Sequence, residues 1–170
     1  LAAKMPLDMM ISKMSEGMVE TLKIFFLTLL FSLPLGLVIA FGRMAKNRII
    51  RYIVTVYIAI MRGTPLMLQV MAIYFGPNYL LHIRIPRSYR FIAIIVAFAL
   101  NYAAYFAEIY RSGIESMPVG QYEAARLLGY NKAQTFFKII LPQVIKRILP
   151  SITNEVICLV KDTSLAFSIA

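Results

Sequence analysis

Two long stretches without a charged residue constrain this chain more than any other feature. Residues 24–41 (IFFLTLLFSLPLGLVIAF) and 91–107 (FIAIIVAFALNYAAYFA) contain none. A helix of about 20 apolar residues spans the hydrocarbon core of a bilayer. A soluble core helix would interleave polar residues at a 3.6-residue period. These two runs are apolar all round. The whole chain follows suit: 60% of its 170 residues are hydrophobic and 15% charged. Soluble domains are nearer half apolar and a quarter charged. The sequence predicts an all-α polytopic membrane protein.

Four spans are expected, at about 20–41, 52–75, 91–110 and 148–168, in a single domain covering 1–170. The second is interrupted by Arg62-Gly63-Thr64-Pro65. Pro65 removes a backbone donor and should break the helix there, freeing carbonyls. The connectors carry the charge. Residues 43–51 hold Arg43, Lys46, Arg48 and Arg51. Residues 76–90 hold Arg84, Arg87 and Arg90. The long connector 111–147 holds six Lys or Arg and two Glu. Basic loops favour the cytoplasmic side, so the first and third connectors go inside and the N-terminus outside. The second connector lands outside despite its three arginines. The chain opens on Leu1 rather than Met and ends on the apolar Ala170. A further span returning the C-terminus to the cytoplasm is expected beyond it.

The net charge of +10 would suggest nucleic acid in a soluble protein. Here the basic residues lie between apolar segments, where lipid headgroups meet them, and no nucleic acid is expected. One cysteine, Cys158, and one histidine, His82, give a zinc site little to be built from. No phosphate-binding loop of the G-x-x-x-x-G-K-[ST] type occurs, nor a catalytic triad or HExxH helix. The chain offers no chemistry for an enzyme.

The connector from Glu123 to Gln143 reads EAARLLGYNKAQTFFKIILPQ. It divides into two short helices. The first covers about 119–128, with Gly129 as a left-handed C-cap. The second opens at Asn131, with Gln134 three residues on as in a capping box, and should stop before Pro142. Ala124 and Ala125 keep the first helix slim for close packing. Glu123 and Arg126 are spaced to pair. From these features alone, an amphipathic pair lying on the membrane surface is an equal alternative.

Glu123, Ala124 and Ala125, then Gly129, then Ile139, Leu141 and Pro142, stand at the spacing of the signature loop of ABC importer membrane subunits, which this segment resembles. Three further segments resemble polar amino acid permeases. They are Arg62-Gly63-Thr64-Pro65-Leu66 with Gln69; the run from Tyr105 through Glu108, Arg111 and Gly113 to Gly120 and Gln121; and Lys161-Asp162-Thr163-Ser164-Leu165. Asn154-Glu155-Val156 with Leu165-Ala166-Phe167 is most similar to members carrying histidine, arginine or lysine. The resemblance implies a type I importer transmembrane fold of about five helices when complete, four to five of them in this chain. It implies a coupling helix near 119–129, with Gly120, Glu123, Ala124, Ala125, Gly129 and Pro142 as docking residues. It implies a bacterial inner membrane, a cytoplasmic ATPase dimer that holds the ATP and magnesium, a second permease subunit and an extracytoplasmic binding protein. This chain itself would bind no cofactor. A passive channel or ion-coupled carrier is the alternative, and would need no ATPase.

Ionisable residues at membrane depth cost at least about 2.5 kcal/mol and need a reason. Glu155 either faces the pathway and meets a substrate cation, or forms a structural ion pair, with Arg62 as candidate partner. Asp162 either joins it or forms a solvated pair with Lys161. Gln69 and Asn101 either bind a zwitterion or tie helices together. Arg62 and Asn154 complete the candidate pathway. Tyr105 reads as packing, and Glu108 with Arg111 as a local ion pair.

Overall fold

The computed structural model describes residues 7–82, 86 and 88–166. Arg84 and Arg87 of the second connector lie outside these, as do residues 167–168 of the fourth predicted span. Helices account for nearly all of the described residues: α1 (Leu7–Arg43), α2 (Arg48–Gly63), α3 (Leu66–Leu81), α4 (Tyr89–Glu115), α5 (Val119–Leu127), α6 (Lys132–Gln134) and α7 (Leu141–Ala166), with a π-helical turn at Thr135–Ile140 between the last two.

α4 is the centre. It packs against α1, α2, α3 and α7. Ala93, Ala97, Ala103, Ala104 and Ala107 are buried along it, beside Phe98, Tyr102 and Phe106. Small residues matter here because lipid tails are as apolar as leucine, so helices associate through close packing rather than hydrophobic exclusion. α1 answers with Thr28, Ser32, Gly36 and Ala40, one turn apart on its buried face. At Gly36 a Cβ would stand 2.8 Å from the Phe106 Cβ and 3.1 Å from the Ala103 carbonyl oxygen. Nothing larger than glycine fits between these backbones. The opposite side of α1 exposes Phe26, Leu30, Phe31, Val38 and Phe41, as suits a face turned to lipid.

By length and composition α1 and α4 each suffice to cross a membrane, and the α2–α3 pair makes a third if counted as one broken span; α7, which holds the expected fourth span, does not meet the same measure, because Lys146, Arg147, Glu155, Lys161 and Asp162 interrupt it. The chain bends by 107° between α2 and α3, so the predicted interruption at 62–65 is a sharp bend. α1 starts thirteen residues before the predicted span, at Leu7 rather than 20. Its first turns carry Asp8, Lys13, Glu16 and Glu20, which an apolar criterion rejects but a helix accepts.

The hairpin after α4 follows its cap signals. Gly129 has φ +78°. The Gly129 N–H donates to the Arg126 carbonyl at 2.9 Å and the Tyr130 N–H to the Ala125 carbonyl at 3.0 Å, the paired bonds of a Schellman cap. Asn131 and Gln134 form a complete capping box. The expected stop before Pro142 does not occur. The chain runs from Lys132 through the π turn straight into α7, so the helix expected near Ile148 is already under way at Leu141. Leu141 has φ −56° and ψ −45°, and its N–H reaches back five residues to the Phe136 carbonyl. That wider turn lies beneath the ring of Pro142, which would otherwise crowd the carbonyl four residues earlier.

Candidate functional site

Pro65 has no N–H for the carbonyl four residues before it, that of Met61. Two side chains take over that carbonyl. The Gln69 Nε2 donates to it at 2.9 Å and the Asn101 Nδ2 at 3.0 Å. Gln69 also donates to the Thr64 carbonyl and hydroxyl, and Asn101 donates to the Gln69 Oε1 at 3.0 Å. Thr64 turns its own hydroxyl to the Ile60 carbonyl at 2.7 Å. Irregular backbone at membrane depth survives only where protein or a cavity satisfies it. Here α3 and α4 do so. Of the two readings of Gln69 and Asn101, the geometry favours tying the break together, and Asn101 does this at the wall of a cavity.

That cavity holds about 440 Å³. Its walls are Thr64, Pro65 and Leu66 from the bend, Asn101, Tyr102 and Tyr105 from α4, and Glu155, Cys158 and Asp162 from α7. Positions 155, 158 and 162 are three and four apart, so one helix face carries all three. Asp162 accepts a 2.7 Å hydrogen bond from the Tyr102 hydroxyl. It is half-buried where Lys161 is exposed, and a Lys161–Asp162 bridge is not among the ion pairs of the described residues. Two carboxylates and an amide therefore converge on one space, and among the described residues no lysine or arginine lines it.

Arg62 sits beside this cavity, its guanidinium carbon 5.1 Å from the centre of the Tyr105 ring. An Arg62–Glu155 bridge is not among the ion pairs of the described residues. Asn154 is exposed and lies outside the cavity, so the structure does not gather it with Glu155. Tyr102 escaped the sequence reading, and Thr64 entered it only as part of the Arg62–Leu66 motif. The spacing of 155, 158 and 162 could have marked Cys158, whereas Tyr102 is sixty residues from the acid it serves.

The Glu108–Arg111 pair is present, with Arg111 Nη2 2.6 Å from Glu108 Oε2. It extends to Glu115 on one side and to Arg43 at the end of α1, 3.6 Å away, on the other. In the hairpin Gly120, Glu123 and Ala124 are exposed and Ala125 is 1% exposed. Ala125 thus serves the chain's own packing, and only Ala124 is offered outward. A Glu123–Arg126 pair does not appear among the described ion pairs. Leu127 and Leu128 project outward, 89% and 74% exposed. Pro142 is exposed in the first turn of α7. α7 is pinned to the elements before it by Arg147, which donates to the Ser116 carbonyl at 2.7 Å, and by Gln143, which donates to Gln121 at 3.1 Å.

A profile of the family described as "Binding-protein-dependent transport system inner membrane component" matches residues 32–170. The chain belongs to that family. The permease is 41% identical over 150 residues to the putative glutamine transport system permease protein GlnP of Rickettsia bellii (strain RML369-C), covering 88% of its own length and 67% of the relative's. It is 40% identical over 150 residues to the arginine transport system permease protein ArtQ of Bacillus subtilis (strain 168), with the same coverage. To the L-cystine permease TcyB of that organism it is 38% identical over 156 residues, covering 92% and 65%. Among solved structures it is similar to the crystal structure of an amino acid ABC transporter with histidines: TM-score 0.81, 36% identity, 98% of this chain and 77% of that one. The inward-facing MetNI methionine transporter shares the fold at TM-score 0.67 and 21% identity, over 98% and 78%. The permease is accordingly a multi-pass α-helical component of an ABC amino acid importer, with a type I importer fold. It is a transport subunit and not an enzyme.

Proposed function

We propose that the cavity is the site where a polar, basic L-amino acid crosses this permease. The observation that carries the reading is the convergence of Glu155, Asp162 and Asn101 beside the broken α2–α3 element. Acids at membrane depth are expensive and mark pathways. Two of them without a lining cation suit a solute that brings positive charge. Glutamine, cystine and arginine, for which relatives are named, share an α-ammonium group, and arginine adds a guanidinium. Of the two, the side-chain cation is the one assigned to Glu155.

The amino acid is delivered by an extracytoplasmic binding protein and the transport is driven by a cytoplasmic ATPase dimer that holds ATP and magnesium. A second permease, identical or homologous, completes the pathway. The N-terminus lies outside, which puts the hairpin 119–142 on the ATPase side of the bacterial inner membrane. Gly120, Glu123, Ala124, Leu127 and Leu128 form the docking face. Gly129 sets the turn, while Ala125 and Pro142 hold the hairpin's shape.

The test is ATP-driven uptake by the reconstituted complex with its binding protein. Glu155→Gln is expected to slow uptake of a cationic amino acid about tenfold more than that of a neutral one. Equal losses would assign Glu155 a structural role. Ala124→Trp places bulk on an exposed surface. It is expected to reduce ATPase copurification at least tenfold while the permease stays folded in the membrane. Full copurification and uptake would remove the docking assignment.

A further inference from the structure

Glu155 faces two spaces. One is the 440 Å³ cavity; the other is a neighbouring space of about 250 Å³ lined by Arg62, Tyr105, Glu108 and Glu155, among others. A cation can therefore reach Glu155 from either side: a solute from the larger space, the Arg62 guanidinium from the smaller. Arg62 now rests on the face of Tyr105, which lines both.

The two acids around Arg62 are not equivalent. Glu108 already accepts from Arg111, with Arg43 close by. Glu155 has no cationic partner among the described ion pairs. A guanidinium can bind either an aromatic face or, bidentately, a carboxylate. Arg62 is also rooted to allow movement. It lies in the last turn of α2, next to Gly63, where an added Cβ would meet nothing within 4 Å, and just before the bend at Thr64-Pro65.

We propose that Arg62 is a built-in competitor for Glu155, exchanging between the Tyr105 ring, where it rests in this structure, and the unpaired carboxylate, from which a cationic solute displaces it. The inference rests on the cavity being the solute site. Its consequence is an affinity for cations set below what Glu155 alone would give, which favours release over retention. Tyr105 then acts as a positioning residue: without the ring, Arg62 stays on Glu155.

The experiment is equilibrium binding of L-arginine, with L-glutamine as neutral control, to the purified full-length permease in complex with its partner subunits and without the external binding protein. Arg62→Gln is expected to tighten L-arginine binding at least fivefold and change L-glutamine binding less than twofold. Arg62→Lys restores a positive charge and most of the competition. Tyr105→Leu is expected to weaken L-arginine binding about threefold, and it tests the same swing should Arg62→Gln fail to fold. In a Glu155→Gln background, Arg62→Gln should add nothing. Unchanged or weaker L-arginine binding in Arg62→Gln overturns the competition, as does equal tightening of both ligands. If Glu155→Gln weakens L-arginine selectively while Arg62→Gln has no effect, only the competitor is lost. If Glu155→Gln leaves L-arginine binding intact, or the wild-type complex binds none, the cavity reading falls and the competitor with it.

Discussion

α4 and the α2–α3 pair are neighbouring apolar elements that treat their backbones in opposite ways. α4 runs unbroken for 27 residues and buries an alanine-rich face against four other helices. The α2–α3 pair bends by 107° at Pro65 and depends on side chains to satisfy the carbonyl of Met61. One supplies rigidity, the other supplies polar groups to a cavity wall. Asn101 joins them. It is a buried polar residue in the middle of α4, and its hydrogen bonds go to the bend. A polar site at membrane depth thus needs an intact helix beside the broken one.

Substitutions can break or sharpen this contrast. The largest effect is expected where two backbones meet. Gly36→Val should destabilise the α1–α4 pair by about 3 kcal/mol, because the Ala103 carbonyl and Phe106 Cβ cannot both retreat. Gly63→Val at the bend, where a Cβ meets nothing, should cost less than about 0.5 kcal/mol, as surface substitutions do. Midpoints of detergent-monitored thermal unfolding compare the two, and similar losses would erase the distinction between scaffold and bend. A smaller effect is expected for Asn101→Leu. It removes two hydrogen bonds but leaves Gln69 on Met61, so about 1 kcal/mol is expected. A double-mutant cycle with Gln69→Leu measures the coupling directly, and additive losses would mean that the two amides do not act together. The smallest concerns the partly exposed end of α4. Glu108→Gln weakens its ties to Arg111 and Arg43 and should cost about 0.5 kcal/mol, shrinking as salt rises. A salt-independent loss would point to packing instead.

Much of this architecture could be read from residue order because its causes are local. The uncharged runs locate the middle of α1 and α4, Pro65 locates the bend, and Gly129 and Asn131-x-x-Gln134 locate the caps within a residue. The sequence reading failed where a longer-range cause intervened. Pro142 reads as a stop because proline disfavours helix before it, yet the π turn makes room beneath its ring. The site divides in the same way. Glu155 and Asp162 announce themselves as acids in an apolar stretch. The Tyr102 hydroxyl that binds Asp162, and the Tyr105 ring that carries Arg62, lie on another helix. Only the packing of α4 against α7 brings them there. Asn154 shows the converse, a polar neighbour of Glu155 in sequence that faces away from it.

The π turn has a geometric consequence of its own. From Lys132 to Ala166 the chain is one axle, and its capped end lies about 35 Å of helix from Glu155. An axle carries rotation as well as thrust. If the wide turn at Thr135–Ile140 relaxed to ordinary α geometry, the register beyond it would shift by one residue. Everything past Leu141 would turn by about 100° about the axis while advancing only about 1.5 Å. The face that holds Glu155, Cys158 and Asp162 is thereby geared to a single turn of backbone in the hairpin, with proline standing at the gear.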